Sequence, residues 1–229
     1  MPPTTASKKS ISNEQWEAKL ASVRVAKEDM NKLVMNFLVT EGYVDAARML
    51  EQESGTAPGV ELGSITHRME IRKAVQSGQV EEAIDKVNDM DPEILEEQQA
   101  LFFHLQQQRL IELIRNRKTV EALAFAQEYL APHGEENEAF LEELERSVSL
   151  LAFDEPQASP VGDLMDVAQR QKTASELNAA ILSSQGQERE PRLLLLLKMM
   201  LWAQQRLDEK AVYPKVTDLA APRLSQVGS

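Results

Sequence analysis

The chain has 229 residues and a formal net charge of −12, from 25 Lys plus Arg against 37 Asp plus Glu. That balance repels phosphate backbones and anionic lipid, so neither nucleic acid nor a membrane is an expected partner. With no cysteine, disulfides, thiol nucleophiles and cysteine-based zinc modules are excluded, which suits a reducing compartment. The apolar mass is Leu, Ala, Val, Ile and Met, aromatics are only 5%, and there are nine glycines. Strong helix formers with few breakers predict an all-α fold, long enough for two helical subdomains.

Residues 1–11 are rich in Ser, Thr, Pro and Lys and read as a disordered tail without the apolar core of a signal peptide. Ser12 with Gln15 resembles a capping box opening a short helix through about Val25. Met30, Leu33, Val34, Phe37 and Leu38 then fall on one helical stripe, and Gly42 stands where a left-handed cap is wanted. Ala46, Ala47 and Leu50 mark a second helix ending at Gly55, so residues 28–55 form a helical hairpin. A hairpin this small cannot bury its own apolar stripe, so it either packs on the rest of the chain or pairs with a second copy, and the Gly-rich linker after it favours an outboard module.

A linker at 54–63 holds three glycines and a proline. Ile65, Met69, Arg72 and Val75 mark the next helix, stopped by Ser77-Gly78, and Val80, Ala83, Ile84 and Val87 the one after it. Asp91-Pro92 opens a single long helix to about Asn116, apolar nearly all round and so expected at the centre of a bundle. Its basic end, Arg109–Lys118, has helical apolar spacing and reads as the solvated edge of a core helix. Thr119 starts a helix expected to stop at Leu130, before Pro132 and Gly134. Glu135–Leu151 follows, with Leu141, Leu144, Val148 and Leu151 inward and six glutamates, Glu135 to Glu145, on a solvated face.

After the Pro-containing break Phe153–Val161, helices are expected over Gly162–Leu182 and Pro191–Lys210, then an extended or disordered tail over 213–229. The most hydrophobic run, Leu193–Ala203, spans eleven residues and contains Lys198. A membrane helix needs about 20 apolar residues, so this run reads as core or as an interface helix. No phosphate-binding loop, nucleophile elbow or HExxH motif occurs, and His67, His104 and His133 are widely spaced. Catalytic residues, metal ligands and cofactors are therefore not expected.

The run Met30–Leu38, then Gly42-Tyr43 and Ala46–Leu50, resembles the lissencephaly-1 homology (LisH) motif. Ile71–Val75 with Gly78, Ala83-Ile84 and Leu105–Ile114 are similar to the CTLH domain that follows LisH. Glu121–Gln127, Leu150–Asp154, Ser159-Pro160 and Leu201–Gln204 are similar to the CRA domain. The resemblance implies a tail with a short helix over 1–24, a LisH dimerisation hairpin over 25–57, CTLH over 63–120 and CRA over 116–212. Association residues would be Met30, Leu33, Val34, Phe37, Leu38, Gly42, Tyr43, Ala46, Ala47 and Leu50. A CTLH–CRA interface would use Leu105, Leu110, Leu113, Ile114, Leu194, Leu197, Leu201 and Trp202.

Family members of this layout are scaffolds of a multisubunit ubiquitin ligase. The resemblance therefore implies a non-catalytic subunit, homo- or hetero-oligomeric, in cytoplasm and nucleus. Implied partners are RING-bearing LisH–CTLH–CRA subunits, a SPRY-bearing scaffold, and armadillo-type and substrate-receptor subunits. The hairpin alone would also allow an adapter in cytoskeletal or nuclear transport complexes.

Overall fold

Helix follows helix along the computed structural model, which describes residues 8–220 and 223–225. In chain order these are α1 (Asn13–Ser22), α2 (Lys27–Glu41), α3 (Val44–Ser54), α4 (Leu62–Gln76), α5 (Val80–Met90) and α6 (Glu93–Glu97). Then come α7 (Gln99–Arg115), α8 (Thr119–Phe125), α9 (Ala131–Glu136), α10 (Glu138–Ser149), α11 (Val167–Ser184) and α12 (Arg192–Asp208). The expected all-α class holds, apart from a two-residue parallel pairing of β1 (Lys9–Ser10) with β2 (Ala211–Val212). The chain forms two units, one from residues up to 58 together with those from 190 onward, the other from residues 59–189.

In the first unit α2 packs on α3 and α12. Ser12 caps α1 as a full capping box with Gln15, though the helix stops at Ser22 rather than Val25. The two tails are more ordered than their composition suggested. Trp16 packs against Tyr213 in a tilted pair with centroids 5.4 Å apart, and the Tyr213 hydroxyl donates to Gln204 O at 2.7 Å. Val216 pairs with Leu224, and Gln204 holds the Val216 backbone from both sides. Disorder expected for residues 1–7, 221–222 and 226–229 falls outside the described residues.

In the second unit α7 runs between two cores. Leu101 and Leu105 join Ile71, Val75, Val87, Leu177 and Ile181, while Phe103, Leu110, Ile111 and Ile114 join Phe125, Leu130, Leu144 and Leu150. A helix feeding two cores must be apolar on opposite sides, which is the all-round pattern read from the sequence. Phe103 also stacks on Phe140 at 4.4 Å.

Three expectations are corrected. The single helix from Pro92 to Asn116 is broken at Gln98 (φ −111°, ψ 71°). On one straight helix Leu95 and Leu101 would point to different sides, because six residues is not a whole number of turns. The break turns both into the same core. The helix from Thr119 does not stop before Pro132 either. Residues Ala126–Leu130 form one π-turn, whose wider winding leads into α9 with Pro132 in its first positions, where no N–H is needed. On α4 the buried line is Ile65, Arg68, Ile71, Ala74 and Val75, while Met69 and Arg72 are only half-buried. Arg68, 1% exposed, donates to Asn178 Oδ1 on α11 at 2.5 Å, which periodicity of apolar residues could not reveal.

Candidate association surfaces

The hairpin turn follows from one residue. Gly42 adopts φ 86°, ψ 24°, a conformation that costs a side-chain-bearing residue about 1 kcal/mol or more, and its N–H returns to Leu38 O. Tyr43 N also bonds Leu38 O, so α2 closes and α3 starts within two residues. Ala47 is fully buried in the hairpin, where its small side chain permits close approach. Phe37 and Tyr43 meet across the turn with centroids 6.1 Å apart.

Helix α2 is apolar on two faces. Met35 and Val39, one turn apart, are buried, and Asn36 beside them accepts a hydrogen bond from Arg192 N at the start of α12. Met30 and Val34 face the other way, 48% and 41% exposed, with Leu33, Phe37 and Leu38 half-buried beside them. On and after the turn, Tyr43, Ala46 and Met49 are exposed, and Gly42 and Leu50 are half-buried. The sequence reading singled out the exposed stripe and missed the buried one, although Met35 and Val39 carried the same spacing.

Helix α12 was expected to be core or interface; none of its residues is buried. Leu197, Met200, Gln204 and Asp208 form its least exposed line. Leu195, Met199 and Trp202 lie one turn apart on another line, 54%, 56% and 61% exposed, and Leu194 and Leu201 are exposed as well. Side chains of this size left in water cost about 1.5–3 kcal/mol each relative to burial, and contiguous apolar patches of this kind mark contact surfaces. The exposed hairpin stripe and the exposed face of α12 belong to the same unit.

The other expected interface residues lie in the second unit. Leu105, Leu110 and Ile114 are at most 4% exposed and Leu113 packs against the second core, so their role there is internal packing. Among the described residues no group of three metal-ligating side chains comes together, and no helix is long and apolar enough to cross a membrane. A cavity of about 590 Å³ at the end of α7 has Ile114, Leu150 and Met165 among its walls, with Arg115 and Arg117 at its edge. Arg115 is spent on Met165 O at 2.6 Å and Arg117 on Asp154 O at 3.2 Å.

A helical hairpin ahead of an all-helical body fits a LisH–CTLH protein, and comparison with known proteins shows that family. The LisH motif matches residues 28–54, and the CTLH/CRA C-terminal to LisH motif domain matches residues 64–208. Protein GID8 homolog of Arabidopsis thaliana is 63% identical over 218 residues, covering 95% of this chain and 90% of that protein. Glucose-induced degradation protein 8 homolog of Dictyostelium discoideum is 55% identical over 215 residues, 94% of each chain. GID complex subunit 8 of Schizosaccharomyces pombe is 34% identical over 209 residues, 87% of each chain. This chain belongs to the LisH–CTLH family, in its group of glucose-induced degradation protein 8 homologues.

Proposed function

We propose that this chain is a non-catalytic scaffold subunit of a multisubunit ubiquitin ligase of the glucose-induced-degradation type. It would join RING-bearing LisH–CTLH–CRA subunits to scaffold, armadillo-type and substrate-receptor subunits in cytoplasm and nucleus. The observation that carries this reading is the unburied apolar surface of the first unit, the Met30–Val34 stripe and the Leu195–Trp202 line, which a subunit–subunit contact would cover. The names of its relatives, GID8 homolog and GID complex subunit 8, supply the assembly.

The test is affinity purification with quantitative mass spectrometry, comparing wild type with Val34→Asp and Trp202→Glu. Both positions are exposed, so the fold should survive while a charge enters a dry contact, at a cost of about 2–4 kcal/mol in binding. RING-bearing subunits should be recovered with wild type and depleted about thirtyfold or more with either variant. Undiminished recovery with both variants would sink the surface assignment, and recovery of transport factors without ligase subunits would sink the function.

A further inference from the structure

The break at Gln98 does more than aim two leucines into a core. It opens a pocket of about 300 Å³ between α6, α7 and α9, with Leu95 as its floor and Pro92 and Phe102 among its walls. His133 closes one side, its ring edge-on to Phe102 at 6.3 Å, and Glu96 and Gln99 stand at the mouth. The interior is apolar, but its surroundings are strongly acidic. Asp89, Asp91, Glu93, Glu96 and Glu97 fall within nine residues that contain no Lys or Arg. All but Asp91 are exposed, and Glu135 and Glu136, just after His133 on α9, are exposed too. Apart from that of Asp91, which accepts from Glu93 N at 3.2 Å, the side-chain carboxylates of these acids have no hydrogen-bond or ion-pair partner among the described residues.

We propose that this pocket is a docking site for a partner protein segment that presents one large apolar side chain flanked by Lys or Arg. The volume suits a single Leu, Met or Phe, which would displace water from Leu95, Pro92 and Phe102. The occupant follows from charge complementarity. The surrounding carboxylates stay solvated and uncompensated until cations approach, and they repel acidic segments. The site lies in the second unit, on residues distinct from the hairpin and α12, so it stands independently of the surface assigned above.

Panning random displayed peptides of about 12 residues on the full chain, with Gln99→Trp as the counter-target, tests the assignment. Gln99 is exposed, and an indole there would fill the mouth. Enriched peptides should share a large apolar residue with neighbouring Lys or Arg. The best synthetic peptide should bind wild type at least about tenfold more tightly than Gln99→Trp. The exposed triple variant Glu93→Lys, Glu96→Lys, Glu97→Lys should weaken it about tenfold and flatten its salt dependence. Circular dichroism melts matching wild type would establish that both variants fold. No enrichment, enrichment of neutral or acidic peptides, or equal binding to both folded variants would overturn the assignment.

Discussion

His104 on α7 reaches Glu176 on α11 through Nδ1 at 2.8 Å and Glu143 on α10 through Nε2 at 3.6 Å, so one ring ties three helices. The hydrogen bond to Glu176 raises the His104 pKa above its ordinary value, against partial burial, and the same bond lowers that of Glu176. For His104 the contribution is complete below about pH 6.5 and fades as pH rises through its raised value. For Glu176 it fades as pH falls through its lowered value. Urea unfolding should therefore show greater stability near about pH 6 than near about pH 9, with His104→Gln flattening the difference; these half-exposed groups limit it to about 1 kcal/mol or less. Deeper in the same unit, Glu112 accepts two hydrogen bonds from Arg170 and one from Gln108, which outweigh burial and hold its carboxyl below the usual range. Gly78, at φ 84°, lies over this pair: a Cβ there would come 2.8 Å from Arg170 Nη2 and 2.9 Å from Glu112 Oε2. Glu112→Ala should cost about 2–4 kcal/mol in unfolding free energy and Gly78→Ala about 1–2 kcal/mol.

At the scale of helices, the apolar spacing located the hairpin, α5 and the central position of α7. The Gly42 turn was legible because a left-handed cap has a residue preference of its own. Gly42→Ala should accordingly destabilise the first unit by about 1 kcal/mol, read as earlier loss of amide-exchange protection in α2 and α3. What spacing could not convey is where a helix must bend to satisfy two demands at once. The break at Gln98 has no local signature, and the signal of Pro132 marked a disturbance in the helix without distinguishing a stop from the π-turn at Ala126–Leu130 that leads through it. Arg68 escaped for a related reason: its burial rests on Asn178, 110 residues away. The stripes on α2 were legible as apolar, but spacing alone did not say which would be covered.

For the molecule as a whole, ordinary composition conceals an uneven distribution of exposed apolar surface. The second unit builds two cores and leaves other apolar side chains, such as Val120 and Val167, exposed on separate elements, whereas α12 carries Leu195, Met199 and Trp202 along one line, all more than half exposed. Met199→Lys should leave the unfolding free energy within about 0.5 kcal/mol of wild type, since an exposed side chain contributes little to folding. Sedimentation velocity on the purified chain should show less self-association for that variant than for wild type. The exposed α12 line had been legible as hydrophobic, but composition cannot distinguish a helix that fills a core from one awaiting a partner.

The pairing of Lys9 and Ser10 with Ala211 and Val212 carries a consequence for biosynthesis. The first unit is assembled from segments far apart in the chain, residues up to 58 and those from 190 onward, so α2 leaves the ribosome long before α12 exists to lie against it. During that interval α2 has α3 beside it but lacks α12, and the second unit can complete its own cores first. The nascent hairpin is thus a client for whatever shields apolar helices, and ribosome-bound chains halted before residue 190 should be cleaved by protease within α2 far faster than released full-length chains.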